Sequence, residues 1–339
     1  VLLEIVCKYH DLGKVYTPFQ NMIRKNIKEP LLKTEFDYES IKHEQLSPMF
    51  IPVERYNLSK DEKKLVYQAI YYHHERDGKD IDNVYVQEII KKDIVPQLVK
   101  IKSEIPYEIE KHMDCMYIKY IQSRNRIKEN DSLYIEYCVL KGILHRLDHS
   151  SSAEMEVEED TLENIAKYVD EFMKKRNYHK NDLQKFCEQN SNNNLLVIGS
   201  TGMGKTEASL FWSNGGKTFF TLPIRTSINA IYDRIQENIG YPYIGLLHST
   251  ALDYLEEKDE FDNQEEVYNQ SRNLYKKVTA CTIDQIFPFV FKHKGYEKMY
   301  ATLSYSKIII DEIQAYSPEI VAILIKGLEM IYKIGGNFM

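Results

Sequence analysis

A chain of 339 residues can hold two domains of ordinary size, each burying its own core. Its 43% hydrophobic and 28% charged residues describe a soluble globular protein, and its longest aliphatic run, residues 320–325, is far too short for a bilayer span, so a cytoplasmic chain with no membrane partner is expected. The five cysteines form no CxxC pair, which argues against a disulfide framework or structural zinc, and a net charge of −7 is neutral evidence about a local basic groove.

In chain order, Val1 leads within a dozen residues into a dense His-Asp motif. The far end reads as a helix stopping at glycine with a strand just beginning, so the chain is read as cut at both ends. The first half is helical in character: residues 61–74 and 136–147 repeat apolar positions at three- and four-residue spacing, and Pro18, Pro30, Pro48 and Pro52 punctuate the loops. The acidic cluster at 154–160 reads as a solvated helix start, 162–176 as one more amphipathic helix, and 190–194 as a polar turn. The domain junction is expected near 175–182, dividing the chain into 1–178 and 179–339.

Ligand-type residues gather in the first half: His10-Asp11, His43, the pair His73-His74, and Asp148. Imidazole and carboxylate suit first-row transition metals. Adjacent helical residues point about 100° apart, so His73 and His74 are expected to serve two neighbouring ions rather than one. The Asp11 carboxylate can bridge such ions, and a bridged pair activates water for phosphodiester displacement. Lys14, one helical turn from His10, offers an ammonium to the scissile phosphate. His112, His145, His179 and His293 read as ordinary core or surface histidines.

Gly199-Ser-Thr-Gly-Met-Gly-Lys-Thr206 is expected to lie between a strand at 195–198 and a helix from 207. Glycines let successive N–H groups curl round one anion, and the helix start adds its positive end. This is a phosphate cradle for a nucleoside triphosphate, formed by Thr201, Gly202, Met203 and Gly204; Lys205 reaches the terminal phosphates and Thr206 holds magnesium.

Tyr9-His-Asp-Leu-Gly-Lys14, a single later histidine, a His-His pair and a late aspartate, in that order, resemble the HD phosphohydrolase superfamily. An HD domain running straight into such an ATPase resembles one family, the CRISPR-associated nuclease-helicase of type I systems. Further matches follow along the second half. Gln184 is similar to the adenine-reading glutamine of superfamily 2 helicases, residues 221–230 resemble motif Ia, 280–285 the TxDQ segment, and 308–314 motif II. The resemblance implies a multidomain chain: an all-α HD-type domain followed by a RecA-like α/β P-loop domain with a mainly parallel sheet. Strands are expected at 218–222, 277–281 and 307–310, with Asp311 emerging at a carboxyl end to hold magnesium and Glu312 acting as the base for attacking water. Pro223, Arg225, Thr226, Thr282, Asp284 and Gln285 would grip a DNA backbone.

Three departures stand out. Family members carry an upstream metal-ligating histidine for which no residue precedes Val1; Gln314 ends motif II where a histidine or aspartate is usual; and motif III with the second RecA-like domain would lie beyond Met339. The implied function is an ATP-dependent DNA helicase or translocase coupled to a metal-dependent single-stranded DNA endonuclease in antiviral defence. Its implied partners are single-stranded DNA and a Cascade-type CRISPR RNA-guided surveillance complex, with one or two divalent transition ions in the HD site. Two other readings stay open: an HD nucleotide phosphohydrolase with a regulatory ATPase module, or an ATP-gated DNA-binding module without catalysis.

Overall fold

The computed structural model describes residues 1–74, 80–258 and 264–339, and the chain forms two compact units, Val1–His145 and Arg146–Met339. The division falls earlier than the expected one after residue 178. Its cause is packing: the amphipathic helix Ile165–Lys175 buries Ile165, Val169, Phe172 and Met173 in the same core as Leu210, Phe211 and Trp212, so it belongs to the second unit.

Among the described residues, every regular element of the first unit is helical. Leu2–Tyr9 packs its buried Ile5, Val6 and Tyr9 near the helix Lys60–Tyr71, whose Leu65, Val66 and Ile70 are also buried. Ser59 starts the second of these: its hydroxyl accepts the Glu62 N–H at 3.2 Å while the Glu62 carboxylate accepts the Ser59 N–H at 2.8 Å, satisfying two otherwise bare donors. The helix stops at Tyr71, before His73 and His74. The long helix Tyr134–Ser152 crosses the division between the units.

The second unit is built on a five-stranded parallel sheet. Its strands are β1 (Lys217–Thr221), β2 (Ile244–Leu247), β3 (Val278–Cys281), β4 (Ser306–Ile310) and β5 (Asn337–Phe338), in spatial order β2-β3-β1-β4-β5. β1, β2 and β3 are buried throughout, as strands of a parallel sheet covered by helices are.

Two expectations are corrected here. Residues 195–198 form no strand: the Leu195 N–H donates to the Phe338 carbonyl at 3.1 Å, but β5 is too short to carry the ladder further, and Leu196 and Ile198 are exposed. The acidic cluster at 154–160 starts no helix. Glu158 pairs with the buried Arg146 and with Lys217 at the start of β1, and Glu159 pairs with Lys276 at 2.8 Å and accepts the Lys277 N–H just ahead of β3. Its carboxylates meet the inward-placed cations Arg146, Lys217 and Lys276, since an unpaired buried charge is costly.

Candidate functional site

In the first unit, His10, Asp11, His43, His73 and His74 converge although they come from three separate segments. His10 caps the end of Leu2–Tyr9, Asp11 follows it, and His43 opens a short helix, His43–Leu46. Gly13 sets the spacing between the first two segments. A Cβ there would lie 1.9 Å from the His43 carbonyl oxygen, so only glycine allows the approach, and the Ser47 hydroxyl links both sides by accepting the Gly13 N–H and donating to the His43 carbonyl.

His43, His73 and His74 each present a ligand atom within 4.8 Å of the others. The expected helical divergence of His73 and His74 is therefore corrected: both lie past the helix end, their rings 3.9 Å apart, and both turn toward His43. One ion can be reached by both.

The outward nitrogens are fixed from behind. His10 Nδ1 lies 2.9 Å from the Cys7 carbonyl and His73 Nδ1 2.6 Å from the Ile70 carbonyl; a carbonyl only accepts, so each Nδ1 carries the proton and each Nε2 carries the lone pair. His43 Nδ1 faces the Tyr38 hydroxyl and the buried Glu44 carboxylate, each at 3.2 Å. Nε2 of His43, Nε2 of His73 and Oδ1 of Asp11 are buried and make no hydrogen bond. Asp11 Oδ1 lies 3.5 Å from His43 Nε2, and Asp11 Oδ2 3.5 Å from His10 Nε2 and 2.6 Å from Lys14 Nζ. Burial alone would raise the Asp11 carboxyl, but His43, His10 and Lys14 outweigh it and hold it below the usual carboxylate range. Burial, followed by the neighbouring His74, pushes the His73 imidazole well below its ordinary value, so it stays neutral and able to ligate. Bare, buried donors of this kind fit a divalent transition ion.

Lys14 sits in a 3₁₀ turn, Leu12–Val15, half-exposed and bound to Asp11. Asp148 lies three residues past the unit division on Tyr134–Ser152. His145 is an interior histidine bonded to the His73 carbonyl, as a satisfied core residue should be. Sequence reading overlooked Glu44; a carboxylate adjacent to a ligand-type histidine was its only signal.

In the second unit the glycine loop leads into the helix Lys205–Ser213, with Gly202 and Gly204 at φ of 85° and 74°, a region costly for other residues. Thr201 and Met203 are exposed, and Thr206 lies in the helix's first turn. Lys205 Nζ donates to the Gly199 carbonyl at 2.9 Å and lies 3.9 Å from Glu312 Oε1. Asp311 follows β4, and its N–H donates to the Thr221 carbonyl at the end of β1. A cavity of about 770 Å³ is lined by Gly199, Lys205, Asp311 and Glu312 among others. Burial, outweighing the Glu312 N–H it accepts, raises the Asp311 carboxyl. Gln314 donates its amide to the Glu312 carboxylate.

Gln184 is buried with both ends of its amide turned to the chain itself. Oε1 accepts the Asn181 N–H at 3.1 Å, and Nε2 approaches the Gly204 carbonyl at 3.4 Å. In this conformation it braces the glycine loop.

Pro223, Arg225, Thr282 and Asp284 line one cleft of about 380 Å³. Thr226 is exposed at the start of Arg225–Asp233, and Gln285, the next residue after Asp284, donates to its carboxylate. Ser249 also lines the cleft and accepts from Arg225 Nη1 at 3.0 Å. It was missed because β2, the strand that delivers it, had not been recognised.

The DEAD/DEAH box helicase family matches residues 181–333. The CRISPR-associated nuclease/helicase Cas3 of Methanothermobacter thermautotrophicus is 28% identical over 275 residues, covering 77% of this chain and 33% of that relative. The T. fusca Cas3-ATP crystal structure is similar with a TM-score of 0.62 at 13% identity, covering 99% of this chain and 43% of that one. A chain of the structure described as a CRISPR RNA-guided surveillance complex, pre-nicking, is similar with a TM-score of 0.56 at 14% identity, covering 99% and 40%. The chain spans less than half the length of each of these. At such identities the two structural likenesses speak to the fold.

Proposed function

We propose that this relative of the CRISPR-associated nuclease/helicases, with its DEAD/DEAH box helicase domain at residues 181–333, is an ATP-dependent single-stranded DNA translocase joined to a metal-dependent single-stranded DNA endonuclease. The observation that carries the nuclease half is the set of buried, unbonded atoms His43 Nε2, His73 Nε2 and Asp11 Oδ1, with carbonyls behind His10 and His73 fixing the tautomer that can ligate. His10, Asp11, His43, His73, His74 and Asp148 would hold one or two divalent transition ions. When bound, such ions supply an activated water and stabilise the oxygens of a phosphodiester under attack. Lys14, half-exposed beside Asp11, would steady the phosphate.

In the helicase domain the Lys205 ammonium, which donates to the Gly199 carbonyl, would turn to the terminal phosphates, Thr206 and Asp311 would hold magnesium, and Glu312 would orient the attacking water and take its proton. Gln314, bonded to Glu312, holds that carboxylate in place. Pro223, Arg225, Thr226, Thr282, Asp284 and Gln285 would position a DNA backbone, with Ser249 steadying Arg225. A Cascade-type surveillance complex is the proposed recruiting partner, as the sequence resemblance implies.

The test offers the protein, loaded with manganese, cobalt or nickel, single-stranded DNA and separately nucleoside monophosphates and cyclic nucleotides, which the ATPase site does not consume. Cleavage of DNA with the nucleotides left intact is expected. Hydrolysis of nucleotides alone would replace the endonuclease by a nucleotide phosphohydrolase, and DNA binding without either reaction would leave a binding module.

A further inference from the structure

A smaller pocket of about 200 Å³ in the second unit is lined by Arg272, Gln285, Gly295 and Lys298, with Leu247 at the end of β2 on its wall. Of these, only Gln285 belongs to the proposed DNA contacts. Arg272 and Lys298 bring two positive charges to it, and neither makes an ion pair among the described residues. The Lys298 ammonium has a neutral acceptor, Asn273 Oδ1, at 3.4 Å, and Arg272 lies over the Tyr268 ring at 5.7 Å. Burial, then Arg146 and Arg272, push the Lys298 ammonium below its ordinary value. Arg146 has its own counter-charge in Glu158, so the uncompensated charge is that of Lys298 and Arg272.

The half-buried Lys298 ammonium has no carboxylate partner among the described residues and shares the pocket with the exposed Arg272 guanidinium of the same sign, an arrangement that an anion would complete. The backbone adds to the same sign. Helix Tyr296–Leu303 starts at Gly295, at φ 82° and with no side-chain cap, so the positive end of its dipole lies at the pocket wall. The neighbouring carboxylates do not line the pocket: Glu297 is buried, and Asp284 lines the adjacent cleft, where it accepts the Gln285 amide. Asp284 in the cleft and Gln285 in the pocket are consecutive residues, so the two depressions adjoin along the chain.

We infer that Arg272 and Lys298 form a second phosphate-binding subsite, which takes a backbone phosphate of the same nucleic-acid strand that lies over the Arg225 and Thr282 cleft. The inference rests on the DNA-binding reading above. It adds a contact that carries charge and register but no base sequence.

The experiment measures binding of a labelled oligothymidylate to the full chain as salt is raised. Each phosphate contact on a single strand contributes about 0.7 to the slope of log K against log salt. The double variant Lys298→Gln/Arg272→Gln removes one phosphate contact and should make the slope shallower by about 0.7, and each single variant by part of that, with ATP binding unchanged. Lys298→Arg should keep the parental slope, and so should Lys294→Gln, an exposed lysine outside the pocket. Inorganic phosphate should compete with the oligonucleotide in the parent and less in the double variant. Should Lys298→Gln fail to fold, the exposed Arg272→Gln decides. Parental slopes in both single variants would overturn the subsite while leaving the DNA reading standing. Phosphate competition that depends on Arg272 and Lys298 with no change of slope would assign the pocket to a small anion and overturn its place on the strand. No oligonucleotide binding by the parent would overturn the DNA reading and the subsite together.

Discussion

The candidate ligands of the first unit sit on helix ends and short turns, buried or half-buried, with Nδ1 of His10 and His73 tied to carbonyls and Nδ1 of His43 flanked by Tyr38 and Glu44. Those of the second unit sit on loops and helix starts and are more exposed, with Lys205 held by the Gly199 carbonyl near Glu312 and Arg225 held by the Ser249 hydroxyl. The contrast follows from the chemistry. A transition ion demands a fixed donor set and a closed surround, so its ligands are held before it arrives. A nucleotide must enter, react and leave, and loops at a sheet edge allow that exchange.

The largest test of this contrast is Asp11→Ala. It should reduce metal-dependent DNA cleavage to background and leave ATP binding, followed with a fluorescent analogue, at the parental level. Joint loss of both would end the claim that the sites work on separate units. Trp212→Ala comes next. Trp212 is fully buried and its Nε1 donates to the Asn193 carbonyl at 2.9 Å, so truncation should cost about 3–5 kcal/mol. Hydrogen exchange read by mass spectrometry should show lost protection in residues 146–339 and retained protection in 1–145. Uniform loss would mean that the units unfold as one.

Gly13→Ala tests whether the metal donors are held in advance. The added carbon meets the His43 carbonyl and should cost about 1–3 kcal/mol, spreading the His10-Asp11 segment from His43 and weakening cobalt binding in a titration. Parental affinity would show that the donors assemble only around the ion.

The smallest effect is a pH dependence in the second unit. Burial, then Arg225, lower the buried His248 imidazole from its ordinary 6.5, with Asp284 opposing. Below that value the unfolded chain takes up the proton first, so stability is full above pH 6.5 and declines as the solution is acidified, by at most about 1.4 kcal/mol per unit for this one group. His248→Gln should flatten that decline in urea titrations; an unchanged slope would assign the acid sensitivity elsewhere.

Much of the second unit was readable because each of its signals is local. The apolar runs of β1, β3 and β4 and the glycine loop lie within short windows, and strand ends of a parallel sheet deliver their loops to one edge. The short strand β2 carried no such signal, and Ser249 was lost with it. The strand expected at 195–198 failed for the converse reason, since an apolar run becomes a strand only where a neighbour of sufficient length offers partners.

The sequence by itself determined which residue types are available and which turns the backbone can take: imidazoles and a carboxylate suited to a transition ion, glycines suited to a phosphate cradle, an aspartate and glutamate after an apolar run. Tertiary structure decided what those residues face. The helix end at Tyr71 turned His73 and His74 to the same side, the close approach at Gly13 brought His43 to Asp11, and the carbonyls of Cys7 and Ile70 selected the nitrogen left bare. It also turned the apparently solvated acids Glu158 and Glu159 into partners of inward-reaching cations, and left Arg272 and Lys298 without any among the described residues. Such choices depend on contacts between residues far apart in the chain, where periodicity and spacing carry no information, because burial and charge compensation are set by the neighbours that the fold supplies.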